Sequence, residues 1–121
     1  MLVGCAQQTV AEASDEAVSS EQATFRVVPV VTGLEHPWGM AFLPGGEILI
    51  TERAGRVRMV RDGVLDPEPI DGVPEVYASG QGGLLDVALD PGFASNRVIY
   101  LSYAAPGDDG NSTRVARARL G

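Results

Sequence analysis

The sequence contains no lysine, only one cysteine and only one histidine. All nine basic residues are arginines, and they are spread along the chain instead of forming a basic patch, which argues against nucleic acid as a partner. One cysteine cannot form a disulfide within the chain, and one histidine cannot supply a paired-histidine metal site. These absences argue against nucleic-acid-binding proteins, disulfide-rich proteins and cysteine-rich zinc proteins.

The composition of the chain as a whole fits one small domain with many turns. The chain has 121 residues, of which 45% are apolar, and it includes fifteen glycines and eight prolines. The net charge is −7, but four of the sixteen acids lie within the first 24 residues, where there is no base. The rest of the chain therefore holds 12 acids and 9 bases, a balance of −3, so most of the acidity belongs to the N-terminal segment.

The N-terminus contains a short motif and a segment of low complexity. Residues 2–5 read LVGC, which resembles a bacterial lipobox and makes Cys5 a candidate for lipid attachment, although the preceding basic and apolar regions of a signal peptide are missing. The alternative is an incidental cysteine. Residues 6–24 are rich in Ala, Ser, Gln and Glu without a periodic apolar face, which predicts a flexible acidic tether. We therefore divide the chain into a lipobox remnant (1–5), a tether (6–24) and a folded domain (25–121).

Short strands follow the tether in close succession. Residues 38–43 are apolar, 44–46 read PGG, 47–51 are rich in isoleucine, and 56–60 alternate basic and apolar residues. Alternation with a period of two is typical of a half-buried strand. The sequence therefore predicts an antiparallel meander, to which further strands at 25–31 and 70–77 are added.

The meander pattern occurs twice. Residues 41–44 (AFLP) and 88–91 (ALDP) are offset by 47 positions, and the strand patterns that follow them agree. A period in the forties with about four short strands per unit is typical of a β-propeller blade; the alternative is chance pairing within any antiparallel protein. The fold class predicted is all-β, a β-propeller of which about the first two blades are present. Since two blades leave sheet faces uncovered, we expect an N-terminal fragment that is inactive alone.

The residues of both units resemble a known family. TGLEHPWGMAFLPGGEILITERAGRVRMV, followed by GQGGLLDVALDPGFASNRVIYLSYA, is similar to the glucose/sorbosone dehydrogenase family, the soluble aldose sugar dehydrogenases that use pyrroloquinoline quinone (PQQ). The resemblance implies a six-bladed propeller, calcium, and oxidation of an aldose to a lactone with electrons passing to the quinone. It also implies that the general-base histidine, the PQQ-binding residues and the calcium ligands lie beyond residue 121. His36 is not expected to replace that histidine.

In a meander, successive loops lie alternately at the two ends of the blade. The loops that enter the innermost strands come nearest to a central ligand. At that end, Gln81 stands among Gly80, Gly82 and Gly83, which permit positive φ and close approach to a ligand, and its amide both donates and accepts. Its position matches the glutamine that lies beside the quinone and sugar in the resembling enzymes. The alternative is a solvent-facing turn. Gln81 is the candidate binding residue, with no catalytic residue and no metal ligand assigned in this chain.

The other candidate acids have structural interpretations, and two other functions fit the sequence. Asp86 is assigned a structural role, and residues 108–111 (DDGN) within a loop over 104–113 are interpreted as a solvated turn because the ligand spacing of a calcium loop is missing. Two alternative functions stay open: a propeller lactonase or similar hydrolase with a central divalent metal, and a non-catalytic binding platform. The expected location is periplasmic or secreted, with membrane attachment only through a lipid on Cys5.

Overall fold

The computed structural model describes residues 16–121, so the predicted lipobox with Cys5 and most of the predicted tether lie outside the described residues. The chain divides after Gly33 into two compact units. In the first, β1 (Val18–Ser19) pairs with β2 (Thr24–Phe25), and the Ser20 hydroxyl closes the turn by donating to the Ala23 carbonyl at 3.0 Å. The strand predicted over 25–31 is wrong beyond Phe25, because Pro29 lacks a donor and residues 26–30 are exposed.

The second unit, residues 34–121, is built from two antiparallel meanders. The first meander contains β3 (Pro37–Phe42), β4 (Ile48–Glu52), β5 (Arg56–Arg61) and β6 (Val64–Leu65), in that order across the sheet. The second contains β7 (Leu84–Leu89), β8 (Val98–Gly107) and β9 (Gly110–Arg119), with the short helix α1 (Phe93–Asn96) between β7 and β8. The predicted all-β meanders are confirmed.

The predicted 47-residue offset is visible in the backbone. Strand β3 starts at residue 37 and β7 starts 47 residues later, at residue 84, and each is six residues long. Both strands also carry a register irregularity at the matching place, between Pro37 and Met40 in β3 and between Leu84 and Val87 in β7. Because an irregularity of this kind re-aims the side chains beside it, the two innermost strands are the same structural element repeated.

The prediction that residues 70–77 form the fourth strand of the first meander is wrong. The fourth strand of the first meander is β6 and not residues 70–77, where only Ile70 forms a bridge, to Val57, and where Pro74 cannot donate. Strand β6 follows a tight turn in which Asp62 and Gly63 both have positive φ, 51° and 75°, the conformation that Asp-Gly favours in hairpins.

The predicted loop over residues 104–113 is instead a hairpin, in which β8 and β9 stay paired up to Gly107 and Gly110. Only Asp108 and Asp109 form the turn between them. The predicted turn at residues 108–111 is therefore shorter than expected, and the strands on either side are ten residues long.

The hydrophobic core lies between the two meanders. Leu49, Val57 and Met59 face it from the first meander, while Leu84 and Leu101 face it from the second, and all five are at most 5% exposed. The buried Thr51 hydroxyl lies in the same layer, where it accepts from the Gly39 N–H at 2.9 Å and donates to the Leu85 carbonyl. Strands β3 and β7 approach so closely that a Cβ on Gly39 would lie 2.5 Å from Asp86 Oδ1.

Strand β3 also carries three large apolar side chains that are exposed. Trp38, Met40 and Phe42 alternate along β3 and are 54%, 60% and 63% exposed. Met40 and Phe42 lie two positions apart and therefore share one face of the strand, and Trp38 lies within the register irregularity between Pro37 and Met40. We call these three exposed residues the apolar stripe.

Candidate functional site

One end of the paired meanders, which we call the loop end, brings together residues 35–36, 52–55 and 79–83. The Arg53 N–H donates to the His36 carbonyl at 3.0 Å, and the Arg53 carbonyl accepts from the Leu84 N–H at 2.9 Å. The Tyr77 N–H donates to the Ala104 carbonyl at 2.7 Å. These contacts place the entry segments of β3 and β7 side by side, as the sorting of loops predicted.

The other end, which we call the turn end, contains residues 43–47, 61–66 and 90–97. The Gly46 N–H donates to the Leu43 carbonyl at 3.0 Å, closing the predicted PGG turn. The Asp90 carboxylate accepts from the Gly92 N–H, the Asn96 amide and the Tyr100 hydroxyl, at 2.8, 2.8 and 2.9 Å. Hydrogen bonds from Asn96, Gly92 and Tyr100 hold the pKa of Asp90 below its usual value.

Gln81 occupies a tight turn at the loop end. The Gly82 N–H donates to the Ser79 carbonyl at 2.8 Å, so residues 79–82 form a four-residue turn with Gly80 and Gln81 in its middle. Gly80 has φ of 57°, which glycine adopts without a Cβ penalty. The Gln81 side chain is exposed, and the turn therefore presents its amide away from the core.

The neighbouring glycines have a different use from the one predicted. A Cβ on Gly82 would lie 2.8 Å from the Tyr77 carbonyl oxygen, and a Cβ on Gly83, which has φ of 149°, would overlap the Arg53 backbone carbonyl. The close approach that these glycines permit is thus to the protein's own chain. They anchor the turn that carries the exposed side chain of Gln81.

A buried carboxylate lies at the end of β4 at the loop end, and it was not singled out from the sequence. Glu52 is 0% exposed; it accepts from the Glu35 N–H at 2.6 Å and pairs with Arg56 at 2.6 Å and Arg58 at 3.4 Å. Arg56 also pairs with Glu35 at 2.6 Å. Burial raises the pKa of Glu52, but the hydrogen bonds from Arg56 and the Glu35 N–H, with the charges of both arginines, outweigh burial and lower it.

His36 and Asp86 take structural positions. His36 is exposed, has φ of 47°, and contributes its carbonyl to the contact with Arg53. Asp86 Oδ1 accepts from the Val87 N–H at 2.8 Å, and the Asp86 N–H donates to the Ser102 hydroxyl at 3.0 Å. Asp86 therefore stabilises the backbone at the register irregularity of β7.

The described part of the chain has neither a metal-binding cluster nor a membrane-spanning helix. Residues 16–121 contain no cluster of three or more His, Cys, Asp or Glu side chains able to hold a metal ion. Over the same residues, no helix has the length and apolarity needed to cross a bilayer.

The chain was compared with known proteins and structures. The family model for glucose/sorbosone dehydrogenase matches residues 34–121. An uncharacterised protein of Synechocystis is 57% identical over 113 residues, which is 87% of this chain and 27% of the relative. The aldose sugar dehydrogenase YliI of Escherichia coli is 49% identical over 100 residues, which is 81% of this chain and 27% of the relative.

The solved structures agree with the sequence matches. The PQQ-bound form of an aldose sugar dehydrogenase from Streptomyces coelicolor superposes with a TM-score of 0.64 at 37% identity, over 73% of this chain and 25% of that one. The likeness confirms the predicted β-propeller class. The chain thus spans about a quarter of the length of the relatives it matches. Because the family model covers most of the chain, this protein belongs to the glucose/sorbosone dehydrogenase family.

Proposed function

We propose that this chain is the N-terminal part of a PQQ-dependent dehydrogenase that oxidises aldoses to lactones, and that Gln81 contacts the sugar or the quinone. The observation that carries the proposal is the exposed Gln81 amide on a turn anchored by Gly82 and Gly83 at the loop end. Membership of a family with sugar dehydrogenases and a PQQ-bound relative supports it.

The Gln81 amide at the loop end fits the polar groups of the quinone and of the sugar. PQQ carries carbonyl oxygens and a sugar carries hydroxyls, and a glutamine amide can donate to the first and both donate to and accept from the second. When bound, the quinone would supply the oxidising group that takes electrons from the sugar. The calcium ligands, the general base and the groups that hold the quinone carboxylates are proposed to lie outside residues 1–121.

Within that function, Gln81 would orient the reacting hydroxyl or the quinone oxygen. A hydrogen bond that is stronger in the transition state than in the bound substrate lowers the activation barrier. A hydrogen bond that is equally strong in both only improves substrate binding. We infer that residues 1–121 alone do not turn over sugar, because the apolar stripe of Trp38, Met40 and Phe42 is exposed and a propeller blade needs neighbours on both faces.

The test uses the intact gene product loaded with PQQ and calcium, an aldose and an artificial electron acceptor. We expect Gln81→Ala to lower kcat/KM by roughly 10- to 150-fold, equivalent to about 1.5 to 3 kcal/mol, with an unchanged Tm because the side chain is exposed. Gln22→Ala, which removes another exposed glutamine, and His36→Ala are the controls and should lose much less.

Three further results bear on the same proposal. Gln81→Glu keeps the shape of the side chain but loses the amide donor, and we expect it to resemble Gln81→Ala. A preparation of residues 1–121 alone should show no turnover. Wild-type kcat/KM in Gln81→Ala would mean that the turn is only structural and that the site lies in other blades.

We also propose that Cys5 carries a lipid and that the enzyme faces the periplasm on this anchor. The support is the LVGC motif at residues 2–5, followed by an acidic low-complexity segment. Attached acyl chains bury enough CH₂ groups for lasting membrane binding. Expressed with its natural upstream residues, the protein should enter the detergent phase in a phase-separation assay, and Cys5→Ser should return it to the aqueous phase. A wild-type protein that stays aqueous would contradict the anchor.

A further inference from the structure

Arg53 lies where the two meanders and the turn of residues 79–82 meet. Its backbone N–H donates to the His36 carbonyl at 3.0 Å, and its carbonyl accepts from the Leu84 N–H at 2.9 Å. Its side chain extends to the turn, where Nη1 donates to the Gly80 carbonyl at 2.6 Å. Arg53 is therefore the residue that joins the first meander to the segment carrying Gln81 by both main chain and side chain.

The carbonyl that Arg53 contacts belongs to the middle peptide of the turn. In a four-residue turn, the common types differ chiefly in the direction of the peptide between the second and third residues, which here joins Gly80 to Gln81. Reversing this peptide would place the third residue at positive φ, which Gln81 does not have and which a non-glycine residue disfavours, so Gln81 itself favours the observed direction. The Arg53 donor to the Gly80 carbonyl strengthens this preference, because the reversed peptide would point its carbonyl away from that donor.

The stem of the Arg53 side chain is held in place by the same segment. A Cβ on Gly83 would lie 2.6 Å from Arg53 Cγ, so the arginine stem lies directly against the glycine backbone. This packing directs the guanidinium to the Gly80 carbonyl and limits its rotamer freedom. The main-chain bonds of Arg53 do not depend on its side chain, so truncating the side chain tests the guanidinium separately.

We propose that Arg53 is a positioning residue whose guanidinium fixes the peptide between Gly80 and Gln81, and with it the direction in which Gln81 presents its amide. The inference rests on the proposed function of Gln81. Arg53 acts through Gln81 and does not need to touch the sugar or the quinone itself.

The first test needs no cofactor. Hydrogen exchange of the Gly82 amide, which closes the turn onto the Ser79 carbonyl, is measured in the intact gene product without PQQ. We expect Arg53→Ala to speed this exchange by roughly 3- to 10-fold, the factor that loss of one modest hydrogen bond gives. Arg53→Lys keeps a donor and should restore part of the protection. Arg61→Ala removes an exposed arginine at the turn end and should have no effect.

The second test is a double-mutant cycle on the loaded enzyme. Arg53→Ala should lower kcat/KM about 5-fold or more in the wild-type background and less than about 2-fold in the Gln81→Ala background, because residues that act through one another are not additive. Equal losses in both backgrounds, or unchanged Gly82 exchange, would overturn the inference. If Gln81→Ala alone keeps full activity, the role proposed for Gln81 fails, and the single variant identifies that failure separately from any effect of Arg53.

Discussion

The loop end and the turn end of the paired meanders are built from different kinds of polar contact. At the turn end, most of these partners are close in sequence, as in the exposed pair of Arg61 with Asp66 at 2.8 Å and the turn closed by Gly46, while Arg97 donates to the Leu120 carbonyl 23 residues away. At the loop end, Glu52 is buried and bonds the Glu35 N–H 17 residues away, and Arg53 reaches Gly80 across 27 residues.

The difference shows which end is constructed to hold a fixed shape. A local turn forms from its own residues and constrains nothing else, whereas long-range contacts cost chain entropy and fix one segment relative to another. The loop end is where such contacts converge, and it is also where Gln81 is exposed on an anchored turn. A rigid support beneath an exposed polar group is what a binding site requires.

The largest expected effect comes from removing the buried carboxylate of the loop end. Glu52→Ala leaves Arg58, whose side chain is 11% exposed, without its ionic partner, and it frees the Glu35 N–H. Breaking a buried pair by removing one member costs about 3 to 5 kcal/mol, and partial exposure of Arg56 favours the low end of that range. Denaturant unfolding of the intact gene product measures the loss. Asp66→Ala, the matched change at the turn end, should cost less than about 1 kcal/mol.

The same carboxylate predicts a pH dependence. Because folding lowers the pKa of Glu52 below its ordinary value of 4.5, its contribution to stability is fully present above that value and is lost as the pH falls through the folded-state pKa. Unfolding free energies measured from pH 7 down to pH 3 should therefore fall less steeply in Glu52→Gln than in wild type. Parallel curves for the two proteins would contradict a lowered pKa.

Much of this arrangement could be predicted from the sequence, and the failures have physical causes. The period of two over residues 56–60 predicted a strand, and the PGG motif predicted a turn between two strands, because both depend on neighbours in sequence. The 47-residue offset predicted the repeat, because the same local pattern occurs twice. The burial of Glu52 depends on strand register, which places it opposite Arg56. The contact of Arg53 with Gly80 depends on how two meanders pack. Such long-range placements are not encoded in a local pattern.

A smaller effect is expected from placing a side chain on a glycine at each end. At Gly83, an alanine would have an unfavourable φ of 149° and would overlap the Arg53 backbone, which cannot move without disturbing both meanders. At Gly46, φ is 95°, but no atom lies within 4 Å of the added Cβ. Backbone strain alone costs about 1 to 3 kcal/mol, so Gly46→Ala should lose that much and Gly83→Ala more. Thermal unfolding of both variants measures the difference, and equal losses would show that the overlap is relieved at no cost.

The smallest expected effect is the coupling within the exposed pair of the turn end. The side chains of Arg61 and Asp66 are 55% and 36% exposed, so water and salt screen their attraction, and a double-mutant cycle should give roughly 0.2 to 1 kcal/mol. The same cycle on Arg56 and Glu52 should give a larger coupling, because Glu52 is inaccessible to solvent. Repeating both cycles in 1 M salt should abolish the first coupling and only reduce the second, since screening acts mainly on exposed charges. Equal couplings with equal salt dependence would remove the distinction between the two ends.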